Sequence, residues 1–211
     1  MTIPHHPIDQ AFFRKDTVTA ARELLGAILV VRHPIGDILG IVTEAEAYVG
    51  ETDLACHCRA GRTNRTSVMY GEAGTAYVYF TYGHHWMLNV VTGEIDFPAA
   101  ILIRALYIIK GQQIVAENRN SVLPAHWTDG PGKLTKACGI DKRINGTSLT
   151  NTTSEVWLAK GTTIPPEAVT IGPRVGLYTV PEPWKSKPWR FLVKKNYQLE
   201  EQWDYLAEKT P

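Results

Sequence analysis

Residues 74–92 read GTAYVYFTYGHHWMLNVVT, and this stretch decides the fold. Positions 75–81 and 86–92 are rich in aromatic and β-branched residues, and Tyr82-Gly83-His84-His85 between them supplies the glycine that a tight turn favours. The stretch is expected to form a β-hairpin with Tyr82 at its tip. A tyrosine beside a tip glycine is exposed by geometry, whereas Tyr77 and Tyr79 fall on one face of the strand.

The same reading extends outward. Positions 27–33 and 38–48 read as strands joined by the turn Pro34-Ile35-Gly36-Asp37, and 99–107 as a third apolar, β-branched strand. Asp16 is placed to cap a helix over 17–25 with Val18, Ala21 and Leu25 on one face and Gly26 as its stop. Further helices are expected at 110–118 and 133–138, and short strands at 169–175 and 190–193. The expected fold is α+β: one mixed domain over 1–211, built on a curved, largely antiparallel sheet with peripheral helices and a protruding β-hairpin.

Composition agrees with a folded chain. With 211 residues, 44% hydrophobic and 20% charged, it can bury a sizeable core without staples, and disorder is excluded. Three cysteines (Cys56, Cys58, Cys138) and an N-terminus MTIPHHPIDQ without a basic or apolar leader imply a reducing, intracellular setting: cytoplasm or nucleoid in a bacterium, nucleus in a eukaryote. No apolar run is long enough for a membrane helix.

The net charge of +1 argues against a uniformly basic nucleic-acid binder, but the charges are segregated. Positions 35–56 hold five acids and no base. Positions 54–71 hold Arg59, Arg62 and Arg65 and no acid, 174–195 hold six bases against Glu182, and 132–143 hold four bases against Asp141. Any one cluster is explained by a solvated loop. Three together, with Tyr70, Trp184 and Trp189 among or beside them, suit a face that contacts phosphates.

Strand alternation puts Val42, Glu44, Glu46 and Tyr48 on one face, and Thr43, Ala45 and Ala47 on the other. Two carboxylates beside an aromatic are ordinary on a solvated face. The small, apolar opposite face argues instead for close packing on that side. Cys56-His57-Cys58 lacks the gap that lets neighbouring ligands converge on zinc, so no metal is expected. Gly130-Pro131-Gly132-Lys133 lacks the spacing of a phosphate-binding loop, and no nucleophile elbow is present. These residues leave open a non-catalytic nucleic-acid-binding domain and a metal hydrolase using His57, His84 and His85. The binding domain has no need of Glu46, and the hydrolase requires bound metal.

The sequence resembles the alkyladenine (3-methyladenine) DNA glycosylases found in vertebrates and many bacteria. The likeness is carried, in the family's order, by VTEAEAYVGETDLACH (42–57), GTAYVYFTYGHHWMLNVV (74–91), ILIRAL (101–106), GPGKLTKACGI (130–140), PRVGL (173–177) and KPWRF (187–191). The tyrosine-rich hairpin, and EAYVG beginning eleven residues before His57, are uncommon patterns. The resemblance implies Glu46 as general base, with Arg104 and the main chain at Val175 helping to hold the attacking water. It implies Tyr48, His57 and Tyr79 as walls for an extruded base, and Asn89 as the group that disfavours guanine. Tyr82 matches the residue that fills the gap in the duplex. Arg62, Lys133 and Lys142 match phosphate-side residues, and the tip histidines His84 and His85 are assigned to the DNA backbone with them. The implied partner is double-stranded DNA with a damaged purine, met by a monomer without membrane or cofactor. The chain departs from the family pattern at Asn64, where Pro is frequent, and at His84 and Trp86, where Met and Tyr are frequent. These departures touch loop shape and DNA contacts rather than the chemistry.

Overall fold

Two strands of 12 residues each, β2 (Ile38–Val49) and β5 (Ala99–Lys110), pair antiparallel along their whole length and form the spine of the molecule. Both are continuously apolar over most of their course, which suits strands covered on both faces. The computed structural model describes residues 6–199, so the ends of the expected 1–211 domain lie outside the described residues.

The remaining strands are β1 (Ile28–Val31), β3 (Ala76–Thr81), β4 (His85–Val91), β6 (Val156–Ala159), β7 (Val169–Gly172) and β8 (Arg190–Val193). The eight strands form one open sheet in the order β3-β4-β5-β2-β1-β6, and every recorded pairing is antiparallel. β8 joins β2 on the same edge as β1 but further along, opposite Glu44–Glu46, and β7 pairs with β8. The α+β expectation holds, with an open sheet and helices at its periphery.

The spine is bulged where the two carboxylates sit. Val42 pairs with Leu106, Glu44 with Ala105, and Ala45 with Ile103, so Thr43 is the extra residue on β2 and Arg104 the extra residue on β5. Bulges bend a strand and re-aim side chains. Here they bring Arg104 against Glu44 and Glu46 from the neighbouring strand. The small residues Ala45 and Ala47 belong to the main core, into which the helix α2 (Thr17–Glu23) also packs. Asp16 caps that helix by accepting the Thr19 N–H at 2.8 Å, as expected. Of the expected face, Ala21 and Leu25 are buried and Val18 packs partly buried against the same core, and Thr17, Ala20 and Leu24 are buried with them.

Other boundaries moved for local reasons. The strand expected over 169–175 stops at Gly172, because Pro173 has no N–H for the ladder. The helix expected from 110 starts at Gln112: β5 runs through Lys110, and Gly111 turns the chain at φ +81°. The helix α4 (Pro131–Cys138) opens earlier than position 133 because Pro131 sits in its first turn, where a missing N–H costs nothing. The four-residue strand β6 and the short helix Gln10–Phe13 were not foreseen; each is too short to show a period.

The hairpin forms as read. Tyr82 and Gly83 both adopt positive φ, +53° and +73°, and the His84 N–H returns to the Thr81 carbonyl, the signature of a type I′ turn. Its tip end is locked to α4: a Cβ on Gly132 would lie 2.6 Å from the ring of His85, the first residue after the turn, so only glycine permits this approach. Among the described residues, no helix is long and apolar enough to cross a membrane.

Candidate active site

Glu46 lies at the centre of the spine, and its side chain has no solvent exposure. Each carboxylate oxygen is occupied. Oε1 accepts the Val175 N–H at 2.7 Å and lies 3.3 Å from Arg104 Nε, while Oε2 accepts the Tyr48 hydroxyl proton at 2.7 Å. Burial raises the Glu46 pKa above the ordinary glutamate value; Arg104, the Val175 amide and Tyr48 oppose that shift by favouring the ion. Arg104 shares its Nε with Glu44 at 2.9 Å, and Glu44 also faces Arg190 at 3.5 Å. The water-facing reading of this strand face is therefore excluded: Glu44 is buried as well as Glu46.

Tyr48, Arg104 and Val175, the three groups that hold Glu46, all line a cavity of about 340 Å³. Tyr77, Tyr79, His57, Asn89 and Tyr82 line it too, so every pocket residue expected from the sequence converges here. Its back is a small second core of Cys56, Cys58, Met69, Tyr70 and Tyr77, with Tyr48 and Tyr79 packed on it. His57 meets Tyr79 edge to face at 4.5 Å, and Tyr77 tilts against Tyr79 at 5.4 Å. Asn89 donates its amide to the Tyr77 carbonyl at 3.0 Å, which fixes the side chain in the pocket lining.

His57 is held neutral. Burial, then Arg65 and Arg59, push its pKa down to about 4. Arg65 Nη2 lies 3.4 Å from His57 Nε2 and can only donate, so Nε2 is the acceptor and Nδ1 carries the proton toward the Tyr77 hydroxyl at 3.0 Å.

The cavity opens beside the hairpin tip, where Tyr82 is 77% exposed. His84 and His85 stack beside it at 3.9 Å, and His84 Nδ1 lies 2.6 Å from the Tyr82 carbonyl. The basic residues expected to face phosphates do not line the cavity. Arg62 pairs with Asp96 at 3.0 Å, Lys133 pairs with Asp129 at 2.7 Å, and Lys142 is exposed at the start of a short 3-10 turn. Among the described residues, no three His, Cys, Asp or Glu side chains gather as metal ligands.

Sequence reasoning missed the group that aims Val175. The Arg174 side chain is fully buried and bonds Asp53 through both terminal guanidinium nitrogens, with Nη2 to Asp53 Oδ1 at 2.9 Å. It also donates to the Ala47 carbonyl at 2.9 Å and the Trp184 carbonyl at 3.1 Å, and stacks on Tyr48 and Trp189. Arg174 immediately precedes Val175, so this clamp sets where the Val175 amide points. Asp53 and Arg174 stand 121 residues apart, and each read as one more charge in an acidic or a basic segment.

A buried carboxylate under an aromatic cavity, beside an exposed tyrosine tip, fits an enzyme that handles a nucleobase outside its stack. A family model described as methylpurine-DNA glycosylase (MPG) matches residues 11–197. A Bacillus licheniformis protein provisionally named 3-methyladenine DNA glycosylase is 41% identical over 197 residues, covering 93% of this chain and 97% of the relative. Relatives with the same provisional name from Myxococcus xanthus and Bacillus subtilis are each 40% identical, covering 91% and 93% of this chain and 92% and 97% of their own lengths. The chain belongs to the methylpurine-DNA glycosylase family. It is a DNA-repair enzyme, a hydrolase that cleaves N-glycosidic bonds in DNA.

The Arg174 clamp generates a stability prediction. Asp53→Asn keeps the shape but leaves a buried guanidinium without its counter-charge, and should cost about 3–5 kcal/mol in denaturant unfolding. Arg62→Gln, which breaks an exposed pair, should cost under about 1 kcal/mol. Equal, small losses for both variants would refute the clamp.

Proposed function

We propose that the enzyme is a monofunctional glycosylase that extrudes a damaged purine from duplex DNA into the aromatic cavity and hydrolyses its bond to deoxyribose, leaving an abasic site. Its substrates are of the 3-methyladenine, hypoxanthine and ethenoadenine class. The observation that carries the reading is the buried Glu46, held by three groups that all line the cavity. A non-catalytic DNA binder has no use for a carboxylate kept out of water at such cost.

Cleavage of the glycosidic bond gives the sugar a cation-like transition state. Glu46 accepts the proton of the attacking water, and its charge stabilises the developing cation. A water admitted against Glu46 replaces the longer Arg104 contact of 3.3 Å, and Arg104 keeps its 2.9 Å bond to Glu44. Glu44 thus positions the arginine while Arg104 and the Val175 main chain orient the water. No Schiff base is needed, so no strand cleavage follows.

The target bond is out of reach inside a duplex, and rotating the nucleotide out costs a few kcal/mol. Tyr82 entering the vacated stack offsets part of that, as does stacking of the extruded base against Tyr48, His57 and Tyr79. Tyr82 already holds a left-handed backbone, unusual for an aromatic residue, that projects its ring from the tip. Asn89 excludes guanine by crowding its 2-amino group. Arg62, His84, His85, Lys133 and Lys142 lie along the DNA backbone. The catalytic and pocket residues come from one chain, which acts as a monomer in the compartment that holds the genome.

Glu46→Gln should lower single-turnover excision by at least about 10²-fold while lesion binding persists. Because burial raises the Glu46 pKa and the reaction needs the carboxylate, activity should rise with pH through an acid limb above the range of an exposed glutamate. Excision near the parent rate in the glutamine variant would overturn the assignment.

Tyr82→Ala should shift the melting temperature by less than about 4 °C, since the side chain has little to pack against. It should reduce the fluorescence of a flipped ethenoadenine in the complex. Unchanged fluorescence and unchanged excision together would make Tyr82 a bystander.

Excision should survive exhaustive chelation, and elemental analysis should find no stoichiometric zinc. Activity lost to a chelator and restored by metal would reinstate the hydrolase built on His57, His84 and His85.

A further inference from the structure

Both tyrosine walls of the cavity carry an arginine. The Arg174 guanidinium lies 4.6 Å from the Tyr48 ring centre, and that of Arg65 lies 4.9 Å from the Tyr79 ring centre. The two cations differ in one respect. Arg174 is neutralised by its bidentate bond to Asp53. Arg65 has no carboxylate within ion-pair distance among the described residues; its neighbours are the Tyr79 ring, His57 Nε2 at 3.4 Å and the Tyr77 hydroxyl. Nearby acids are engaged elsewhere: Asp96 with Arg62, Glu51 with the Tyr70 hydroxyl, and Asp53 with Arg174. Arg65 does not itself line the cavity. It is exposed to solvent and stands behind the Tyr79–His57 wall as a positive charge with no carboxylate paired to it among the described residues.

We propose that Arg65 is a specificity-determining residue: its charge behind the Tyr79–His57 wall disfavours purines that carry a formal positive charge and biases excision toward neutral lesions. The proposal rests on the glycosylase reading given above. An aromatic ring attracts a cation through its quadrupole. With Arg65 already on Tyr79, a cationic base stacked against the same wall meets a like charge roughly 8 Å away, which near a protein surface amounts to about a tenfold bias. A neutral purine keeps the stacking and feels no such repulsion. The potential is already legible in His57, whose pKa falls to about 4 through burial and then through Arg65 and Arg59. On chemical grounds, N3-alkylated adenine falls in the disfavoured class, and hypoxanthine and ethenoadenine in the favoured one.

The test compares the parent with Arg65→Gln and Arg65→Lys. Each is assayed under single turnover, at saturating enzyme, for release of 3-methyladenine from one duplex and hypoxanthine from another. The readout is the ratio of the two rates, in which a general loss of DNA binding cancels. The ratio of cationic to neutral excision should rise about tenfold in the glutamine variant and stay near the parent value in the lysine variant. The His57 titration, followed by NMR, should move up from about 4 in the glutamine variant only. If both rates fall together and the ratio holds within twofold, Arg65 is a phosphate contact and the proposal fails. If the parent releases neither base, the glycosylase reading fails instead, and the charge effect with it.

Discussion

A carboxylate with no solvent exposure must have its charge answered inside the protein, and in this molecule Glu46 sets that requirement. Its three partners come from three parts of the chain: Tyr48 from the same strand, Arg104 from the neighbouring one, and the Val175 amide from the loop after β7. Each placement needs its own device. The bulges at Thr43 and Arg104 set the arginine beside both glutamates, and the Asp53–Arg174 clamp holds the chain at Val175. Removing any one leaves a buried charge short of a partner. In the proposed role of Glu46, catalysis and stability are tied together at this point, because the carboxylate the reaction needs is also the one that burial penalises.

The cavity is built on a different principle. Its walls are aromatic rings laid edge to face and tilted against a small core, and that core includes two cysteine side chains that hold no metal ligand set among the described residues. Rings packed this way keep their orientation without a hydrogen bond from every edge. The polar groups of the lining are few and tethered, as with the Asn89 amide and the His57–Tyr77 pair. A pocket of this kind is largely pre-formed, which suits a ligand that arrives only after a costly extrusion. The hairpin tip beside it has the opposite character: Tyr82 is exposed, on a left-handed backbone that few aromatic residues adopt.

Much of the site was legible because short-range geometry carries it. The period of two put Glu44, Glu46 and Tyr48 on one face and Tyr77 and Tyr79 on another, and the glycine after Tyr82 marked the tip. Whether the glutamate face met water or protein could not be read from that period, since burial depends on what lies across the sheet. The bulges were not foreseen: the extra residue Thr43 shifts the alternation, so Val42, expected on the face of Glu44 and Glu46, lies in the main core with Ala45 and Ala47 instead. Arg174 and Asp53 looked like members of charge clusters, and charge clusters are ordinarily solvated. Arg62 and Lys133, from the same clusters, do hold exposed pairs on the surface.

The sequence by itself determined the sheet-rich architecture, the hairpin with its exposed tyrosine, the helix cap at Asp16 and, through its family motifs, the residues that gather at the cavity. These depend on neighbours within a few positions or on whole motifs. Tertiary structure alone decided that Glu46 is sealed from water, that Arg104 is shared between two carboxylates, and that Arg174 is neutralised while Arg65 is not. Those outcomes depend on distances between residues far apart in the chain, Asp53 and Arg174 lying 121 positions from each other. The energy of a charge is fixed by what surrounds it in space, and a linear sequence does not contain that surrounding until the chain has folded.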